Sequence, residues 1–193
     1  HNPEFIEPGF STIDEDVVFK FLESRVGLLD GVVLSGGECT LSPELYNFIK
    51  KIKSMGFKVK IDTNGTNFTL MEKLIEERLV DYIALDYKAP RNKFFLITAN
   101  NSFELFEKTL NLAIWSGIPM EVRTTVHTDL LNEDDINTII DDLHNKSYNG
   151  VFYLQNFKNL KGKTLGNISD QKRQLDISKL KFGKIKLDHR NFS

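Results

Sequence analysis

The sequence has a single cysteine, Cys39, among 193 residues. A lone cysteine forms no internal disulfide and cannot by itself hold a cysteine-ligated metal cluster. No apolar run approaches the ~20 residues of a membrane span, and no secretory signal pattern stands at His1. A cytoplasmic protein without a membrane partner is therefore the default expectation. No Gly-x-Gly-x-x-Gly follows an apolar run, which argues against a dinucleotide-binding domain. No nucleic-acid motif and no basic repeat interleaved with aromatics is present, so no nucleic-acid partner is expected. His127, His144 and His189 lack ligand spacing and read as surface positions rather than a metal site.

What is present is ordinary in bulk. Hydrophobic residues make up 40% and charged residues 27% of a 22.2 kDa chain, the composition of a globular domain. The length suggests one domain, at most with an appendage. The net charge of −2 hides an asymmetry. Residues 1–157 hold 15 basic and 24 acidic side chains, and residues 158–193 hold 10 basic and 3 acidic. A basic tail on an acidic body is either a docking surface for something acidic or a solvated closing segment.

Apolar runs alternate with helical patterns along the chain. A helix is expected from Asp14 and Glu15, with Val17, Val18, Phe21, Leu22 and Val26 on its apolar face and Gly27 as its stop. Strands are expected at 31–35, 57–62, 80–87, 120–126 and 151–155. The helices between them begin at Ser42-Pro43-Glu44, Leu70, Phe103 and Asn132. Proline suits a first helical position, and Asn-Glu-Asp-Asp suits the positive end of a helix dipole. Trp115 and the helical phenylalanines read as core. Phe182–Leu187 is a candidate closing strand. Strands linked by helices predict an α/β protein with a parallel sheet and right-handed crossovers, either doubly wound or part of a (β/α) barrel. A helix stands first where a strand is the normal opening, so a leading strand is expected to be missing.

In parallel α/β folds ligands sit at the C-terminal strand ends. There this chain places Ser35-Gly36-Gly37-Glu38, Asp62-Thr63-Asn64-Gly65, Asp86-Tyr87-Lys88, Arg123-Thr124-Thr125 and Gln155-Asn156. Paired glycines let a backbone approach a ligand closely, and the carboxylate after them can accept hydrogen bonds from an ammonium group. Asp62 and Asp86 on neighbouring strands could hold a cation or a ligand amine. Lys88, two residues past Asp86, could neutralise it or bind a carboxylate. Taken singly, these are also ordinary turns and an ordinary ion pair. An aldolase-like barrel with Lys88 as Schiff-base nucleophile and Asp86 as its acid/base partner fits the same residues. So does a non-catalytic module that holds a small zwitterion. Borohydride trapping with a carbonyl substrate would label Lys88 only in the aldolase.

The conjunction of Gly31–Leu41 with its Gly-Gly-Glu, Lys60–Thr66 with its Asp-Thr-Asn-Gly, and Asp81–Pro90 with its Asp-Tyr-Lys resembles the radical S-adenosylmethionine superfamily. Within it, the details are most similar to the activases of glycyl radical enzymes. Those acting on anaerobic ribonucleoside-triphosphate reductase come first, and those acting on pyruvate formate-lyase next. The resemblance implies an incomplete (β/α) barrel over residues 1–157, with 158–193 as a basic segment closing or extending it. It also implies S-adenosylmethionine and a [4Fe-4S] cluster as cofactors, a glycyl radical enzyme as partner, and an electron donor such as a flavodoxin. Cluster reduction would cleave the sulfonium, and the 5′-deoxyadenosyl radical would take a hydrogen from a glycine of the partner.

In this family a CxxxCxxC loop holds the cluster, and His-Asn-Pro-Glu often follows its last cysteine. The sequence begins His1-Asn2-Pro3-Glu4. The resemblance thus implies that the first strand and the cluster loop are absent and that this chain alone is inactive. Carried over residue by residue, Gly36, Gly37 and Glu38 match the motif at the methionine amino group. Lys88 matches a lysine at the methionine carboxylate, and Arg123 a strand-end arginine. Asp62 and Asp86 match acidic positions beside the methionine; in some activases these, with Thr63, surround a monovalent cation. Asn2, Asn64 and Gln155 complete the implied cofactor-binding set. Gln155-Asn156-Phe157-Lys158 departs from the apolar-Pro-Phe-His run of formate-lyase activases.

Overall fold

The computed structural model describes residues 13–159 and 168–192. Six parallel strands form one sheet in the order β1-β2-β3-β4-β5-β6. They are β1 Gly31–Leu34, β2 Lys58–Thr63, β3 Tyr82–Asp86, β4 Met120–Val126, β5 Val151–Asn156 and β6 Lys186–Arg190. Helices α1 Glu15–Glu23, α2 Leu45–Ser54, α3 Phe68–Glu76, α4 Arg91–Thr98, α5 Phe103–Ser116 and α6 Glu133–Asn145 complete the chain order. The parallel α/β architecture expected from the alternation is what the structure has: the five expected strands and a sixth near the candidate closing run. No helix among the described residues is long and apolar enough to cross a membrane.

Local chemistry sets the boundaries. The Asp14 carboxylate accepts from Asp16 N and caps α1. Asn67 caps α3 through Leu70 N and donates to Thr40 O at 2.6 Å, tying α3 to the loop after β1. Asn132 and Asp135 form a reciprocal capping box on α6, which satisfies two donors that a helix start otherwise leaves open.

Alternation along the strands separates two faces. Val59, Ile61, Ile83, Leu85, Val122, Phe152 and Leu154 point one way and are buried against Ile49, Ile52, Met71, Leu74, Phe106, Leu110 and Ile139 of the helices. The opposite face carries Lys60 and Asp62 of β2, Ala84 and Asp86 of β3, Glu121 and Arg123 of β4, and Tyr153 of β5. The register pairs Asp62 with Ala84, Ala84 with Glu121, and Asp86 with Arg123. One face of the sheet is therefore apolar core and the other a largely buried charged row.

Several expectations need correction. In α1 the buried residues are Phe19 and Leu22; Val17, Phe21 and Val26 are exposed, because Phe19 turns toward Phe48, with ring centroids 4.9 Å apart. Trp115 is 80% exposed, at the solvent-facing end of α5. Helix α4 was not anticipated, and the last strand lies at Lys186–Arg190, overlapping the end of the Phe182–Leu187 run and extending past it. His127 is buried, not on the surface: its Nε2 lies 2.8 Å from Ser169 O and its ring meets Phe157 edge-on.

Candidate active site

The C-terminal ends of β1 to β5 lie along one edge of the sheet, as parallel pairing requires. After β1 the chain turns through Gly36 and Gly37, at φ of 104° and 37°. Both are exposed, and a Cβ at Gly36 would meet nothing within 4 Å. The glycines thus serve backbone conformation, on an exposed turn.

Glu38 does something the sequence did not reveal. Its Oε1 accepts from the Thr40 and Thr63 hydroxyls at 2.6 and 2.7 Å and from Thr40 N at 3.2 Å. Its Oε2 accepts from Asn64 N at 2.6 Å. The carboxylate latches the β1 loop onto the end of β2. None of these bonds goes to Asp62, Asp86 or Lys88. Thr63 turns to the helix side, where its hydroxyl also accepts from Gly65 N. Asn64 Oδ1 accepts from Thr66 N and the Thr66 hydroxyl.

On the charged face the acidic pair is bridged. The Arg123 guanidinium reaches Asp62 Oδ2 at 3.0 Å through Nη1 and Asp86 Oδ1 at 2.9 Å through Nε. Lys88 Nζ lies 2.8 Å from Asp86 Oδ2, and Lys60 Nζ lies 3.0 Å from Asp62 Oδ1. The Lys60 contact is poorly angled and leaves Asp62 Oδ1 without a formal hydrogen bond. Beneath them Glu121 Oε1 is 3.7 Å from both Lys60 and Arg123, and the Tyr82 hydroxyl is 3.4 Å from Oε2. Burial works to lower the Arg123 basicity, but Asp86 and Asp62 outweigh it and hold the guanidinium above its ordinary pKa. With Arg123 11% exposed and each aspartate 16%, loss of one partner leaves a largely desolvated charge, at a cost of about 3–5 kcal/mol.

Lys60 and Glu121 were not among the sequence-derived candidates. Their signal was there: each stands two residues before a candidate on the same strand, hence on the same face. Gln155 lies further along, 3.4 Å from the Thr125 hydroxyl, away from the acidic pair. Asn2 lies outside the described residues. A cleft of about 220 Å³ adjoins the cluster, lined by Asn64, Thr66, Lys88, Phe94, Ile97 and Thr98 among others. A larger hollow of about 530 Å³ opens at the opposite strand ends around Lys58, Val80 and Pro119. It holds none of the strand-end candidates, and the parallel-sheet rule places chemistry at the other end.

A family model described as the radical SAM superfamily matches residues 2–143. The chain belongs to the radical SAM superfamily. Two Methanocaldococcus jannaschii proteins named as glycyl-radical enzyme activating enzymes are similar to it. One is 36% identical over 116 residues, 57% of this chain and 48% of that protein; the other is 26% identical over 140 residues, 68% and 52%. The chain thus spans about half the length of the curated relatives it matches. Native anSMEcpe with bound AdoMet has the same fold at a TM-score of 0.64 and 14% identity, over 86% of this chain and 48% of that one. A domain of a pyruvate-formate lyase-activating enzyme from Bacteroides vulgatus gives 0.64 and 16%, over 84% and 100%. At these identities the two structures speak to fold alone.

Radical SAM membership implies two groups, which the residues treat differently. The open Gly36-Gly37 turn and the polar mouth with Lys88 fit S-adenosylmethionine. A [4Fe-4S] cluster does not fit this chain's residues. Its only cysteine is Cys39, whose Sγ donates to Asp62 O at 3.3 Å. Burial, with Glu38 and Asp62 adding, pushes the thiol up to about 12, and a cluster ligand must be a thiolate.

Proposed function

We propose that this chain forms the S-adenosylmethionine-holding part of a glycyl radical enzyme activase. The observation that carries the reading is the polar strand-end edge on a radical SAM sheet: an open glycine pair beside a charged row that ends in Lys88. S-adenosylmethionine supplies a reductively cleavable sulfonium when bound. The chain's own residues bind and orient it. The exposed turn at Gly36 and Gly37 receives the amino end. Lys88, already drawn to Asp86, receives the carboxylate. Arg123 locks both aspartates so that the mouth keeps its shape.

The whole protein would act on a glycyl radical enzyme. Anaerobic ribonucleoside-triphosphate reductase is the first candidate, supported by the resemblance of the strand-end motifs, with a flavodoxin as electron donor. These residues alone would hold no cluster and so would not cleave S-adenosylmethionine. The Schiff-base alternative is less favoured, since the chain belongs to the radical SAM superfamily and Lys88 is held as a cation by Asp86 at 2.8 Å.

Calorimetric titration of S-adenosylmethionine into the chain tests the binding step. Saturable binding is expected, weakened about 10-fold or more by Lys88→Ala, as befits a charge-assisted hydrogen bond. No binding at millimolar ligand would remove the reading. Electron paramagnetic resonance of a reductase incubated anaerobically with the full-length protein and reductant tests the partner. A glycyl radical is expected, and its absence on that reductase but presence on another glycyl radical enzyme would reassign the target.

A further inference from the structure

The resemblance assigns Asp62, Thr63 and Asp86 to a monovalent cation, and the geometry is at odds with that assignment. A hard cation needs several converging oxygens free of competing donors. Of the four carboxylate oxygens of the two aspartates, three accept hydrogen bonds from Arg123 or Lys88; the fourth, Asp62 Oδ1, accepts none but sits against the Lys60 ammonium, so a single oxygen is left where a cation needs several. Asp62 Oδ1 faces Lys60 at 3.0 Å, and Asp62 Oδ2 faces Arg123 at 3.0 Å. Asp86 Oδ1 faces Arg123 at 2.8 Å, and Asp86 Oδ2 faces Lys88 at 2.8 Å. The Thr63 hydroxyl lies on the helix side, donating to Glu38 and accepting from Gly65 N.

Charge balance points the same way. Asp62, Asp86 and Glu121 carry three negative charges, already met by Lys60, Lys88 and Arg123, with Arg190 a further cation 3.7 Å from Glu121 Oε2. An inserted metal ion would add an unbalanced charge to this group, whose members other than Arg190 are 8–33% exposed. It would also have to break the guanidinium's contacts with both acids. Arginine suits the bridging role because its planar donors sit at fixed positions and its charge is permanent.

We propose that Arg123 is the resident cation of the Asp62–Asp86 pair, making the site independent of monovalent metal ions. Glu121 is its positioning residue from below, 3.7 Å from both Arg123 Nη1 and Lys60 Nζ. The proposal concerns the pair itself. Only its ligand-binding arm rests on the S-adenosylmethionine reading.

The test compares the 193-residue chain in potassium, sodium and choline chloride at equal ionic strength. The wild-type unfolding temperature is expected to agree across the three salts. A built cation site near 100-fold saturation would instead raise it by about 5–10 °C in one metal salt, and a saturable rise of that kind overturns the proposal. Thallium(I) NMR, with thallium as potassium surrogate, gives a second reading: a titratable bound resonance in the wild type also overturns it. Arg123→Gln removes the resident charge and should gain a saturable potassium or sodium dependence of stability, including folding only in the metal salt. If this variant folds and stays indifferent to all three cations, Arg123 is not the required cation and the proposal falls. If it folds in none, the wild-type salt and thallium measurements decide alone. In the ligand arm, S-adenosylmethionine affinity should agree within 2-fold between potassium and choline. A chain that binds no ligand in any salt refutes the functional reading and leaves the salt result standing.

Discussion

Replacing Glu38 by alanine removes an acceptor that holds two loops together, and the structure sets the size of the loss. Four donors converge on the carboxylate: the Thr40 and Thr63 hydroxyls, Thr40 N and Asn64 N. Thr40 and Thr63 are 1% and 2% exposed, so water cannot readily replace the lost partner. A hydrogen bond to a charged group contributes about 1.5–3 kcal/mol. Not all four count in full, because hydroxyls rotate and Glu38 is itself half-buried. Two effective bonds at the low end give about 3 kcal/mol. For a chain of this size that corresponds to about 6–12 °C in Tm. Urea denaturation with a thermal scan measures it. Glu38→Gln is the informative companion. Its amide oxygen can serve the threonines, but its amide nitrogen then meets Asn64 N donor to donor, so about 1–2 kcal/mol should still be lost. Had Glu38 mainly served a ligand amine, alanine would spare stability and damage binding alone. A Glu38→Ala protein within about 1 kcal/mol of wild type would refute the latch.

Three further outcomes are expected. Glu133 is held down to about 2 from 4.5, chiefly by the Arg173 guanidinium, with the Asp176 amide helping. A lowered carboxylate stabilises the fold above pH 4.5, and that contribution is lost between there and about pH 2. Because Arg173 is 47% exposed, screening leaves about 1 kcal/mol, and Glu133→Gln should flatten that part of a urea-midpoint-against-pH curve. Gly65→Ala places a Cβ 2.7 Å from Leu85 Cδ1 at φ of +73° and should cost about 1–3 kcal/mol by chemical denaturation. Tyr87→Phe removes the 3.0 Å bond to Asp142, which keeps Lys146, so a loss near 1 kcal/mol should appear in the same assay.

The sequence showed the elements that announce themselves by period. Strand β4 was legible residue for residue at Met120–Val126, because its apolar alternation and the glycine before it leave little choice. Helix α4 was not, and the reason is visible in it. Only Phe94 is buried, while Phe95 and Leu96 stand 60% and 71% exposed, so no apolar stripe marks it. It is held instead by a distant contact, Lys93 Nζ to Asp135 at 2.7 Å and to Leu130 O at 3.0 Å. The same limit governed Glu38: its position at a strand end could be read, but its partners, up to 26 residues away, could not.

The charged row shows most clearly what a single chain's pattern omits. That Asp62, Asp86, Lys88 and Arg123 all end strands follows from the order of residues. That Arg123 spans both aspartates follows from register, which sets Asp86 beside Arg123 and Ala84 beside Glu121. A slip of one residue in β4 would turn Arg123 to the helices and bring Val122 against the acids. The small Ala84 side chain, between Asp62 on one neighbouring strand and Glu121 on the other, leaves the space through which Arg123 and Lys60 reach across. The site therefore depends on an alanine that carries no chemistry as much as on the ions around it. A larger residue there would separate the aspartates from their bridge without touching a single charge.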